Sequence, residues 1–300
     1  MDRFETMSAF VAVAEQRGFA AAARALGTSP PVITRAVAAL ERRLGVALFQ
    51  RSTRAVSLTE EGTVFLDRAR HILTDLRDAE QILRGGRSVP RGQLYVTAPV
   101  MFGRLHVLPV VSGLLAKYEE LNARMMLLDR NVRLIEEGID VAVRIGTLAD
   151  SALRTLPLGS VRQTIVARPA YLARHGIPHE PADLRDHHCV VGSSPRTGGA
   201  WHFGAKGTNA VEIVPRLMID TLDATLAAAE AGIGLANMLS YQAADAIAAG
   251  RLVRVLTDHA PAALPVSLVY DAGRAAMPAV RAFIEAMRQR GALGAWDEGQ

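Results

Sequence analysis

The 300-residue sequence is poor in several things, and each shortage excludes something. With one cysteine, Cys189, no disulfide can form within the chain. Aromatic residues make up only 5% of it, against an apolar half dominated by alanine and leucine, which favours helices and α/β layers over a β-sandwich. No run of about 18 apolar residues stands out, so no membrane span is expected. The start, acidic at Asp2, lacks the charged-then-apolar pattern of a secretory leader, and the expectation is a cytoplasmic protein. There is no phosphate loop, no HExxH and no paired Cys/His at metal spacing, so neither metal nor cofactor is expected. His187-His188-Cys189 is the one suggestive cluster, but chain neighbours point apart, and a structural role is the simpler reading.

What is present is unevenly placed. Residues 1–59 hold eight arginines against Asp2, Glu5, Glu15 and Glu41; the other residues hold 26 basic and 26 acidic groups. The whole surplus of +4 therefore sits in the first fifth of the chain, as expected if that part meets a polyanion. Phe4, Met7, Phe10, Val11 and Ala14 recur at helical spacing and predict a first helix that Gly18 ends. A second helix is predicted over 19–26 and a third from 30 to about 44, with Ser29 as N-cap and Pro30 in the first turn. Helix, short turn, helix is the helix-turn-helix pattern, whose second helix enters the major groove by its N-terminal end. Ser29, Pro30, Pro31, Thr34 and Arg35 then lie nearest the bases, with Arg42 on the same outer face. A plain three-helix scaffold with solvated arginines would show the same spacing. Residues 46–59 read as two short strands around a basic turn, a wing whose Arg51, Ser52, Thr53 and Arg54 suit phosphate contacts.

The stretches 21–30 (AAARALGTSP) and 39–49 (ALERRLGVALF), followed by Arg51, Arg54 and Leu58-Thr59-Glu60-Glu61-Gly62, resemble the N-terminal signature of LysR-type transcriptional regulators. One departure is Ala20, where members of that family usually carry a serine or threonine. The resemblance implies a winged helix-turn-helix on double-stranded DNA at an imperfect inverted repeat, a homodimer or homotetramer, and output through RNA polymerase.

From 60 to 87 a long helix is predicted. Phe65, Ala69, Ile72, Leu76, Ala79 and Leu83 repeat at spacings of four and three, the seam of a coiled coil. Such a seam needs a partner, either its own domain or a second chain, and the resemblance favours a dimer. Residues 88–92 read as a hinge.

Beyond it, strand-like and helical segments alternate, predicting an open parallel α/β sheet with lobe 1 over 93–161 and 268–300 and lobe 2 over 162–267. The expected fold is α/β multidomain: an N-terminal winged helix-turn-helix over 1–59, a linker helix, and a two-lobed, periplasmic-binding-protein-like effector domain. Residues 134–146 (LIEEGIDVAVRIG), 169–172 and 229–236 also resemble LysR-type sensor domains. Ligands of open α/β sheets sit beyond the C-terminal strand ends. That rule nominates Thr97, Pro99, Val100, Met101, Phe102, Asp129, Arg130 and Arg144 from lobe 1, and Ser193, Ser194, Thr221 and Asn237 from lobe 2, as a pocket for a small-molecule effector. The rival is a solute-binding or enzymatic α/β protein with an accessory helical domain.

Overall fold

The computed structural model describes residues 2–51, 56–83, 89–130, 132–148, 152–192, 199–292, 294 and 296, and divides into two compact units. The first comprises residues 1–93 with 277–279. In it, α1 (Arg3–Gln16) starts in a capping box, Asp2 and Glu5 each bonding the other's backbone end. α2 (Phe19–Ala25) and α3 (Pro30–Leu44) follow, then β1 (Phe49–Arg51) paired antiparallel with β2 (Val56–Leu58), then α4 (Glu60–Leu83). α1 ends one residue earlier than the sequence predicts: Arg17, not Gly18, takes the left-handed conformation at φ 51°, and Gly18 is extended. One core joins these elements. Phe10 is fully buried, its ring 5.2 Å from that of Phe49 and 5.4 Å from that of Phe65.

α4 corrects the seam predicted for dimerisation. Ala69 is fully buried in this core together with Leu66 and Leu73, and Phe65 packs against it. Ala69 is thus spent wholly on the chain's own domain, and Phe65, half-buried, in part. Ile72 is exposed and Leu76 half-buried; the side chains of Ala79 and Leu83 lie outside the described residues. A heptad pattern records which residues need burial, not what buries them.

The second unit holds two lobes. Lobe 1 is the sheet β4-β3-β5-β14-β6, from β3 (Gly92–Ala98), β4 (Leu121–Leu127), β5 (Val141–Ile145), β6 (Arg154–Val161) and β14 (Leu264–Tyr270). It is mixed rather than parallel: β3 runs parallel to β5, but β14 is antiparallel to both β5 and β6. β14 lies wholly in this sheet from Leu264, so the return to lobe 1 precedes the expected 268, and Gly92 belongs to β3 rather than to a hinge. Between β3 and β4, α5 (Val100–Phe102) passes through a π-helical turn (Gly103–Val107) into α6 (Leu108–Lys117); α7 (Leu134–Glu137) precedes β5. By length and composition Val100–Lys117 is apolar enough to cross a membrane, which the sequence reading missed, yet Met101, Phe102, Val107, Val111 and Leu114 are buried in the lobe. Buried Asp140 ties the lobe together, accepting from the Tyr95 amide at 2.8 Å and pairing with Arg274.

Lobe 2 is the sheet β11-β8-β12-β7-β13, from β7 (Gln163–Ala167), β8 (Cys189–Gly192), β11 (Pro215–Ile219), β12 (Leu235–Leu239) and β13 (Val253–Val255), with a separate hairpin of β9 (Ala200–Phe203) and β10 (Asn209–Glu212). α8 (Pro169–His175), α9 (Leu222–Glu230) and α10 (Ser240–Ala248) complete it; α11 (Pro278–Ala292) closes the chain. Trp201 is buried in the core of this lobe.

One buried cluster titrates. His106, in the π-helical turn, has its ring 4.7 Å from Phe102, 5.1 Å from Trp296 and 5.4 Å from Tyr241, and neither nitrogen has a partner among the described residues. Burial, helped by Arg290, pushes it down to about 4. The unfolded chain takes a proton on this ring near pH 6.5, as an ordinary histidine does, but the folded chain only near 4. The unfolded state binds more protons in that window, so stability falls as pH drops through it, by on the order of 2–3 kcal/mol. His106→Phe should remove that loss. Urea midpoints at about pH 7 and about pH 4.5 check it: an equal acid shift in both proteins refutes the assignment.

Candidate nucleic-acid interface and interlobe cleft

α3 carries its core on Ile33, Ala36, Val37 and Leu40 and leaves Thr34, Arg35 and Arg42 exposed, with Ser29, Pro30 and Pro31 exposed at its start. Ser29 has cap geometry but makes no side-chain cap bond, so its hydroxyl is unspent. Two successive prolines remove two backbone donors from the first turn, so fewer N–H groups face an approaching phosphate. The Thr34 hydroxyl donates back to the Pro30 carbonyl at 2.9 Å, leaving its methyl and lone pairs outward. Arg35 donates through Nε to the Pro31 carbonyl at 3.4 Å, which holds the guanidinium along the helix start. Sequence reasoning missed Glu41: its Oε1 accepts from the amides of Leu48 at 2.8 Å and Phe49 at 3.2 Å, fastening β1 to the end of α3. Ser52, Thr53 and Arg54 lie outside the described residues, as does the Arg51 side chain; the Arg51 backbone pairs with Val56.

Between the lobes lies a cavity of about 530 Å³. Five predicted residues line it: Pro99, Asp129, Arg130, Arg144 and Asn237. Thr97, Val100, Met101, Phe102 and Thr221 do not. Thr97 is buried, its hydroxyl donating to the Met126 carbonyl at 2.7 Å between strands. Met101 and Phe102 turn into the core because a helix begins directly after Pro99, sending its first turn inward. Val100 serves by its amide, which Asp129 Oδ1 accepts at 3.1 Å. Thr221 caps α9, and its neighbour Leu222 takes the wall instead. Ser193 and Ser194 lie outside the described residues. Missed at the sequence level were Leu128, Thr147, Gln163, Tyr241 and Gln242.

The charged groups of the cleft are anchored. Arg144 donates to the carbonyls of Arg130 at 3.3 Å and Val132 at 3.0 Å, and Arg130 meets Glu137 at 3.5 Å. The carboxamides of Gln163 and Asn237, by contrast, have no hydrogen-bond partner among the described residues. At the cleft edge Arg104 of lobe 1 meets Asp223 of lobe 2 at 2.6 Å, an exposed latch of modest strength. The His187-His188-Cys189 cluster shows no catalytic arrangement. Cys189 is buried and its thiol pushed up to about 12, and the Tyr171 hydroxyl ties His187 Nδ1 to the His188 amide.

Comparison with known proteins adds to this geometry. Residues 4–63 match the family described as "Bacterial regulatory helix-turn-helix protein, lysR family", and residues 87–292 match "LysR substrate binding domain". The chain is 32% identical to the "Probable HTH-type transcriptional regulator LtrA" of Klebsiella pneumoniae over 84% of this chain and 82% of that one. It is 33% identical to the "HTH-type transcriptional regulator DmlR" of Escherichia coli over 93% and 92%. The structure of CrgA, a LysR-type transcriptional regulator from Neisseria meningitidis, is similar over 97% of this chain and 99% of that one, with 28% identity and a TM-score of 0.62.

Proposed function

The chain belongs to the LysR family of transcriptional regulators, and from that premise we propose that it grips an imperfect inverted repeat as a homodimer, through Ser29, Thr34, Arg35 and the wing, and is switched by a small metabolite in the interlobe cleft. It is a DNA-binding regulator with an effector-binding domain, not an enzyme. The observation that carries the DNA reading is the exposed, arginine-bearing start of α3, held rigidly over a core closed by Phe10, Leu40 and Leu48. Two such helices on one duplex multiply affinity without new contacts per subunit. The exposed face of α4, with Val64 and Ile72, supports pairing through that helix, and pairing of effector domains would build a tetramer. A cytoplasmic location and contact with RNA polymerase follow from this reading.

The unspent Gln163 and Asn237 carboxamides from lobe 2, with Arg144 and Arg130 from lobe 1, suit a polar, acidic effector. A ligand touching both lobes binds their two arrangements unequally, and only that difference can shift the DNA-bound state. Arg35→Ala tests the recognition helix. If Arg35 reads a base, the preference for operator over random duplex drops by about 1–3 kcal/mol, measured by fluorescence anisotropy. Unchanged selectivity would sink the assignment.

A further inference from the structure

A second cavity, of about 200 Å³, lies wholly within lobe 2. Its floor is one row across three strands: Asn237 of β12 stands opposite Ile165 of β7, and Ile165 opposite Val255 of β13. Cross-strand partners share a sheet face, so these three side chains look the same way. Its roof is His202 and Phe203 of the β9–β10 hairpin. Its ends are the two segments by which the chain passes between lobes, at Arg162 and at Ala260-Pro261. The first crossing is pinned to the start of α10, since Ser240 Oγ accepts from the Arg162 amide at 3.2 Å and the Ser240 amide donates to the Arg162 carbonyl at 2.7 Å.

Three features make this a built site. Two arginines, Arg162 and Arg254, border it, and no carboxylate does. The Arg254 side chain has no hydrogen bond or ion pair among the described residues. Asn237 is 8% exposed, yet its carboxamide has no partner there either. Its carboxamide atoms are not sealed from solvent, so a guest in the pocket can reach and pair with them.

We propose that this pocket is a second effector site, taking a small carboxylate with a compact apolar body: the body over Ile165, Phe203 and Val255, the carboxylate toward the arginine rim, with Asn237 as the specifying amide. The volume suits a single ring with its carboxylate, since a dry cavity of about 150 Å³ already holds benzene. The two crossings form its ends, so a guest here stiffens one lobe arrangement against another. Gln163 and Asn237 border both cavities, so a ligand that recruits either amide in one takes it from the other. Occupation of the two is therefore linked, equally in both directions.

The test uses the full chain with 4-fluorobenzoate as probe, observed by fluorine NMR. Ala260→Phe fills the pocket from its half-exposed end, Arg254→Gln removes a rim charge, and Thr147→Trp fills the interlobe cleft instead. The expected result is binding to the wild type that Ala260→Phe weakens at least tenfold, Arg254→Gln weakens several-fold and Thr147→Trp leaves in place. Wild-type affinity in both lobe 2 variants, complete loss in Thr147→Trp, or no binding to the wild type at millimolar probe would each overturn the proposal. If Ala260→Phe melts early, Arg254→Gln carries the test alone. Operator binding, read separately by anisotropy, keeps a failure here distinct from a failure of the DNA reading.

Discussion

Raising the salt from about 50 mM to about 200 mM should lower the affinity of the dimer for any duplex by about a thousandfold or more. The reason is where the charge lies. Arg3, Arg17, Arg24, Arg35, Arg42 and Arg43 are all exposed on the first unit, and Arg51 and Arg54 belong to the wing by sequence. If three to five of these meet phosphates in each subunit, a dimer displaces about six to ten counterions, and the logarithm of affinity falls with that slope against the logarithm of salt. Replacing Arg54 by alanine should reduce the slope by about one for each phosphate that the arginine neutralises and weaken all sequences alike, unlike Arg35→Ala. Titrations at several salt concentrations read the slope directly. A flat line would mean that the arginines are merely solvated, and the nucleic-acid reading would fail with it.

Gly62→Ala should unfold the DNA-binding unit while leaving the effector unit folded. In an exposed helix interior that change normally stabilises by about 0.5–1 kcal/mol. Here the added Cβ would stand 2.0 Å from the Leu48 carbonyl oxygen and 2.9 Å from its carbon. Leu48 cannot yield: its side chain is fully buried, its amide is held by Glu41 and its carbonyl accepts from the Thr59 amide at 3.0 Å. The cost should be on the order of 3–5 kcal/mol, a large share of what a domain of this size has. The variant should then melt in two separated transitions and lose operator binding, while 4-fluorobenzoate or any true effector still raises the upper one. A single wild-type-like transition would show that the first turn of α4 can move away from Leu48.

Much of the first unit was legible because its signals are local. Ser29 before two prolines marks a helix start, and Gly45 just past Leu44 marks its end, where it takes φ 74°. The alternation of strand and helix signals revealed the two-lobed domain, and the rule of strand ends picked out Asp129, Arg144 and Asn237 as cleft residues. That rule failed for Thr97, Met101 and Phe102, which are as close to a strand end in sequence but face inward. Periodicity within a segment does not show how the next element turns.

The amino-acid order by itself determined the class of the molecule: a basic helix-turn-helix, a long helix and an α/β sensor. Each follows from residue spacing within a few turns, charge placement and local capping. Tertiary structure alone decided that Ala69 is core rather than interface, that β14 returns to lobe 1 between β5 and β6, and that Gln163 and Asn237 stand unpaired between two cavities. Those outcomes depend on which distant surfaces compete for the same apolar face or hydrogen bond, and a linear pattern does not record who the competitors are.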